Sequence, residues 1–135
     1  MAGSRFDSPF AGGTTWDVAG HTVVGVIEPA MIPVLRRGSE SVIDALREGV
    51  AELDAEMAQR IHATHTAFLA ELPVLGGLVQ LTTADQVEVW LQALYDHRVL
   101  AHEIDGEPPD DLALWCQHTM SKINVAAEKA RPPRR

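Results

Sequence analysis

Six histidines, one cysteine and nineteen carboxylates are the groups of this 135-residue chain suited to acid–base, nucleophilic or metal chemistry. His62 and His65 stand three apart, and His97 and His102 lie on a second segment beside Asp96 and Glu103. Imidazoles and carboxylates on facing helices are how helical bundles hold metals, so these four histidines are the candidate ligand set. The Glu-x-x-His pattern of di-iron bundles does not occur. His65 also continues an apolar stripe between Ile61 and Phe68, which favours a partly buried, hydrogen-bonded histidine over a ligand. Asp96 and Arg98 are two apart and so point to different helix faces. Each is read as bonding a neighbouring helix rather than anchoring a partner or ligand. Cys116 and His118 share no helix face, and no motif of a cysteine enzyme surrounds them, so Cys116 reads as a small buried apolar group. The serines lack a Gly-x-Ser-x-Gly elbow, and no glycine-rich phosphate loop precedes a helix. The expectation is therefore of no catalytic residue and no cofactor.

The elements that would position these groups are mostly helical. Ser39 reads as an N-cap, and apolar residues recur three and four apart at Ile43, Leu46, Val50, Leu53, Met57, Ile61, Phe68 and Leu72. Unbroken as far as Pro73, that helix would be about 51 Å long at 1.5 Å per residue, with a kink near Gly49 or Thr64–Thr66 as the alternative. Residues 21–37 are ambiguous. The β-branched run from Thr22 to Ile27 suggests a strand, whereas Val23, Ile27, Met31 and Leu35 suggest a helix. We read a helix kinked or broken at Pro29 and Pro33. Thr14–Val18 and Leu78–Leu81 read as short strands that could pair. Thr83 with Gln86 forms a capping-box pattern opening a helix to about Ile104. Gly106, Pro108 and Pro109 stop it, and Asp110 or Asp111 caps a last helix carrying Leu112, Trp115, Cys116, Thr119 and Ile123. The fold class is mainly α: a small bundle of about four helices with a tiny two-stranded β ribbon. Residues 1–13 read as a flexible arm, 14–128 as one helical domain, and 129–135 as a basic flexible tail.

From Leu78 onward the stretch LVQLTTADQVEVWLQALYDHRVLAHEID resembles the C-terminal half of an actinobacterial family, domain of unknown function number two thousand and seventeen. That family has a strand, then a Ser/Thr-capped helix with a Trp-Leu-x-Ala-Leu-Asn-Asp-x-Arg-Leu core. An acidic loop and a helix rich in Trp and Leu follow. Trp90, Leu91, Ala93, Leu94, Asp96 and Arg98 match the core, Asp105 to Asp111 match the loop, and the helix of Trp115 matches the last element. Tyr95 replaces the usual Asn, and Ala101-His102-Glu103 replaces a Gly-Thr-Arg stretch. The resemblance implies a helical cytoplasmic protein, in a family often encoded beside a Clp protease adaptor. It carries over no catalytic residue.

Composition narrows the function classes. Eleven Lys and Arg against nineteen Asp and Glu leave a net charge of −8, which repels polyphosphates and disfavours nucleic acid as a partner. A single cysteine forbids an intrachain disulfide and suits a reducing cytoplasm. The longest apolar stretch, Val23 to Leu35, is interrupted by Glu28, Pro29 and Pro33, so no membrane span is expected. The leading expectation is a non-enzymatic module that binds a protein, itself included as a homodimer, or serves as a regulatory or assembly subunit. Its contact residues would be Val50, Leu53 and Met57 on the long stripe, with Trp90, Asp96 and Arg98. The alternative is a metal- or cofactor-binding bundle using His62, His65, His97 and His102.

Overall fold

The computed structural model describes residues 15–49, 54–73, 77–104 and 110–135, with the side chains of 100–104 and 110–111 left out of the description. Strand β1 (Thr15–Ala19) and strand β2 (Thr22–Val26) form a hairpin through Gly20 and His21. Gly20 has φ +65°, the left-handed geometry that the first position of a two-residue II′ turn requires. Strand β3 (Leu78–Leu81) lies on the other side of β2, giving an antiparallel sheet in the order β1-β2-β3. The ribbon is thus three-stranded, and the expected pairing of residues 14–18 with 78–81 does not form because β2 stands between them. In register, Trp16 faces Gly25 and Gly25 faces Val79. A Cβ on Gly25 would run into the Trp16 ring, so the missing side chain is what lets the indole lie flat across the sheet.

The segment 21–37 divides between the two readings. Its β-branched half is β2, and helix α1 (Met31–Glu48) follows. Pro29 precedes the helix and Pro33 is its third residue, where a backbone N–H has no intrahelical acceptor, so neither proline breaks anything. Val23, Ile27, Met31 and Leu35 are all buried, but strand, linker and helix share the work of burying them.

The helix expected from Ser39 to Leu72 is two helices. Gly49 adopts φ +69° and closes α1, its N–H reaching the carbonyls of Ala45 and Leu46. Helix α2 (Ala55–Glu71) starts afresh at Asp54, whose Oδ1 accepts the Met57 N–H at 2.7 Å. Ser39 is no N-cap; it lies buried inside α1, whose first turn carries no acidic residue. The α1–α2 hairpin closes on itself through Val42, Leu46 and Ile61, which takes Leu46 and Ile61 of the expected stripe into the fold, while Met57 stays exposed.

Helix α3 (Ala84–Ile104) opens with the expected reciprocal cap. Gln86 N–H donates to Thr83 Oγ1, and Gln86 Oε1 accepts from the N–H groups of Thr82 and Thr83. Helix α4 (Asp110–Ala130) packs on α3 and on the inner side of β1 and β2. The main core runs through Phe68, Trp90, Leu94, Cys116 and Ile123. Trp90 meets Phe68 edge-on at 4.7 Å and Trp16 at 5.9 Å, arrangements worth about 0.5–1.5 kcal/mol each beyond burial. Its Nε1–H donates to Glu71 Oε2 at 3.1 Å.

The C-terminal segment is docked. Helix α4 extends to Ala130, past the boundary drawn at 128, and Arg131 turns the chain with φ +49°. The carbonyls of Pro133 and Arg134 then accept the N–H groups of Ala84 and Asp85 at the start of α3. The arm at 1–13 and Gly76 lie outside the described residues.

Candidate functional site: a buried Ser–His–Asp network

Three helices converge on one polar cluster. Ser39 comes from the middle of α1, His65 from α2, and Asp96 and His97 from adjacent positions on α3. Ser39 Oγ lies 2.8 Å from His65 Nδ1 and 3.0 Å from His97 Nε2. His65 Nε2 lies 3.0 Å from Asp96 Oδ2, and Gln92 Nε2 donates to Asp96 Oδ1 at 3.1 Å, one turn away on α3. Exposure is 0 % for Ser39 and His65, 2 % for His97 and 4 % for Asp96. Gly38 completes the enclosure, because a Cβ there would collide with the His97 ring. Phe68 walls the other side, its ring tilted against His97 at 5.8 Å.

The hydrogen bonds leave two self-consistent proton arrangements. The Asp96 carboxylate only accepts, so His65 Nε2 carries a proton toward it. Ser39 has one proton to give. With His65 neutral, Ser39 donates to His65 Nδ1 and accepts from His97 Nε2–H. With His65 as imidazolium, its Nδ1–H donates to Ser39, and Ser39 turns its proton to His97 Nε2. His97 stays neutral in both arrangements. Burial pushes it down from 6.5 to about 3, the nearby His65 adds to that shift, and Asp96 opposes it.

Asp96, His65 and Ser39 stand in the order of a charge-relay triad. The ring nitrogens are exchanged relative to the hydrolase arrangement, however. Ser39 is also held by a second imidazole and sealed from solvent, so no carbonyl can reach Oγ without parting α1, α2 and α3. What the cluster does as it stands is tie three helices at a fixed register, since a helix that slides leaves a buried partner unpaired.

The candidate histidines therefore separate. His65 and His97 come together, with ring centroids 5.7 Å apart. His62 sits one turn before His65 and is only partly buried, and the side chain of His102 lies outside the described residues. Both ring nitrogens of His65 are committed to Ser39 and Asp96. Among the described residues, no three His, Cys, Asp or Glu side chains are arranged to hold a metal ion.

The proposed contact residues separate as well. Trp90 is wholly buried and Asp96 faces His65, so neither is presented to a partner. Arg98 and Met57 are exposed, while Val50 and Leu53 lie outside the described residues. Cys116 is buried, and burial pushes its thiol up to about 12 against the pull of the Arg98 charge, which suits a packed apolar group and not a nucleophile.

No family model matches this chain, and no curated protein or solved structure matches it either.

Ser39 and Gly38 are the members that sequence reasoning missed. Leu35, Ser39 and Val42 are spaced four and three apart, which places Ser39 on the buried stripe of α1. That signal was open only to a reading that began the helix at Met31.

Proposed function

We propose that the chain is a non-enzymatic helical module that binds another protein. The observation that carries this reading is the sealing of the Ser39–His65–His97–Asp96 cluster in the core, at most 4 % exposed. The residue types best suited to catalysis are committed to holding α1, α2 and α3 together, which leaves recognition to the outer surface. That surface carries exposed apolar side chains on regular elements. Val26 and Leu78, direct partners across β2 and β3, are about half exposed, as are Leu114 and Val125 on α4. No helix among the described residues is long and apolar enough to cross a membrane. The resemblance from Leu78 onward implies a helical cytoplasmic protein and brings no catalytic residue, in keeping with this reading.

Affinity purification of the tagged chain from its native cell, combined with sedimentation of the purified protein, tests the reading. A defined stoichiometric complex with another protein, or a dimer of the chain, is expected, retained when Ser39 is changed to Ala. Ser39-dependent ester hydrolysis, or stoichiometric metal lost on His65→Ala and His97→Ala, would replace it with an enzymatic or metal-binding role.

A further inference from the structure

Strand alternation gives the sheet two unlike faces. Trp16, Val18, Val23, Val79 and Leu81 turn inward to the main core. The outer face carries Thr15, Val24, Val26 and Leu78, and Asp17 is its one charged strand residue. At one end of the sheet Thr15 pairs with Val26 and Val26 with Leu78, a row that crosses all three strands. Val26 is 52 % and Leu78 56 % exposed, and Val24 beside them is half-buried. The chain enters β1 at this same end: residues 1–14, outside the described residues, join the strand at Thr15.

We propose that this row docks Phe10 of the chain's own N-terminal segment, its ring lying over Val26 and Leu78 and closing them to other proteins. The proposal goes beyond the protein-binding reading and does not depend on it, since Leu114 and Val125 on α4 are exposed as well. Reach selects the occupant. Thr15 and Leu78 stand two strand spacings apart, about 10 Å. Phe10 lies five residues before Thr15, and five residues span up to roughly 17 Å. Gly12 and Gly13, between them, let the chain turn back over the sheet instead of continuing the line of β1. Composition agrees, because the stretch from Ser8 to Thr14 carries no charge, whereas Phe6 stands between Arg5 and Asp7. Size points the same way. One aromatic side chain buries about 150–250 Å², on the scale of two half-exposed aliphatic groups. A stable dimer needs about 800 Å² from each copy, far more than this row supplies. A contact of one ring holds only a tethered ligand, and a short linker presents Phe10 at an effective concentration of about millimolar. The hollow between β1 and α4 is a poorer seat, because Trp16 and Lys122 on its walls already have partners.

Hydroxyl-radical footprinting of the full chain, read by mass spectrometry, tests the docking. Phe10→Ser is expected to raise labelling of Leu78 about two- to threefold, and Phe6→Ser to leave it unchanged. In the reciprocal variant, Val26→Thr with Leu78→Thr, labelling of Phe10 should rise by a similar factor while that of Phe6 does not. Both substituted positions are about half exposed and threonine suits a strand, so this variant keeps the fold, with circular dichroism as the check. Labelling of Leu78 that ignores Phe10→Ser would overturn the proposal, as would an equal response to Phe6→Ser. Protection of Leu78 that fades on dilution, with a dimer in sedimentation, would give the face to a second copy instead. A rise at Trp16 and Val125 in place of Leu78 would put the ring in the hollow between β1 and α4 and equally overturn it. None of these outcomes bears on the complex sought by affinity purification, so the two readings fail separately.

Discussion

Gly38 and Ser39 are both poor choices for a helix interior, and both are explained by one imidazole. An exposed glycine changed to alanine in a helix gains about 1 kcal/mol. At Gly38 the sign should reverse, because the new methyl meets the His97 ring; Gly38→Ala is expected to lose about 1–3 kcal/mol in urea unfolding. Ser39→Ala removes the hydroxyl that satisfies His65 Nδ1 and His97 Nε2, and should cost about 2–4 kcal/mol. The pH dependence follows from His97. Its folded value of about 3 lies below the 6.5 of the unfolded chain. Above pH 6.5 both states hold the ring neutral and stability is unaffected. Between 6.5 and 3 the unfolded chain takes up a proton that the folded chain refuses, so this residue's contribution is lost at up to about 1.4 kcal/mol per pH unit. Urea midpoints measured from pH 7.5 to 4.5 should fall, and the fall should be shallower in His97→Gln. A slope equal in the two proteins would mean that His97 titrates normally.

Helix ends carry the second level of the design. Gly49 meets nothing within 4 Å where a Cβ would stand, so Gly49→Ala tests backbone geometry alone. It should cost about 1 kcal/mol through the left-handed φ. If instead α1 and α2 were one continuous helix, the same substitution would stabilise the protein. At the start of α3 the Thr83–Gln86 box shares the first turn with the carbonyls of Pro133 and Arg134. Truncation after Ala130 should therefore lower stability by about 1 kcal/mol and speed amide exchange at Ala84 and Asp85, while Val87, bonded to the Thr83 carbonyl, stays protected.

Across the whole molecule the apolar packing is uneven. The main core gathers residues from all three strands and all four helices, whereas Val42, Ile61 and Leu46 form a separate cluster at the far end of the α1–α2 hairpin. The polar network lies between these two regions. Native-state hydrogen exchange is expected to show residues 42–48 and 55–61 opening at lower free energy than the facing halves of α3 and α4. Ile61→Ala should enlarge that gap without changing protection around Trp90. Uniform exchange across all helices would mean that the hairpin tip and the core open as one unit.

Local patterns in the chain were enough for the helical class, the capping box at Thr83, strand β3 and the two C-terminal helices, because each depends on residues within one or two turns of one another. The break at Gly49 was half legible: a lone glycine on an apolar period permits a kink, but only the packing of α2 back on α1 makes the left-handed turn the better conformation. The prolines misled, since Pro33 looks like an interior proline until the helix is known to begin two residues earlier. The site was the least legible. His65 and His97 stand out by type, but their shared partner was hidden as an apparent N-cap serine 26 residues before one and 58 before the other. Hydrogen bonds between side chains so far apart leave no local period, and burial, not spacing, decides whether such a cluster catalyses or binds the fold together.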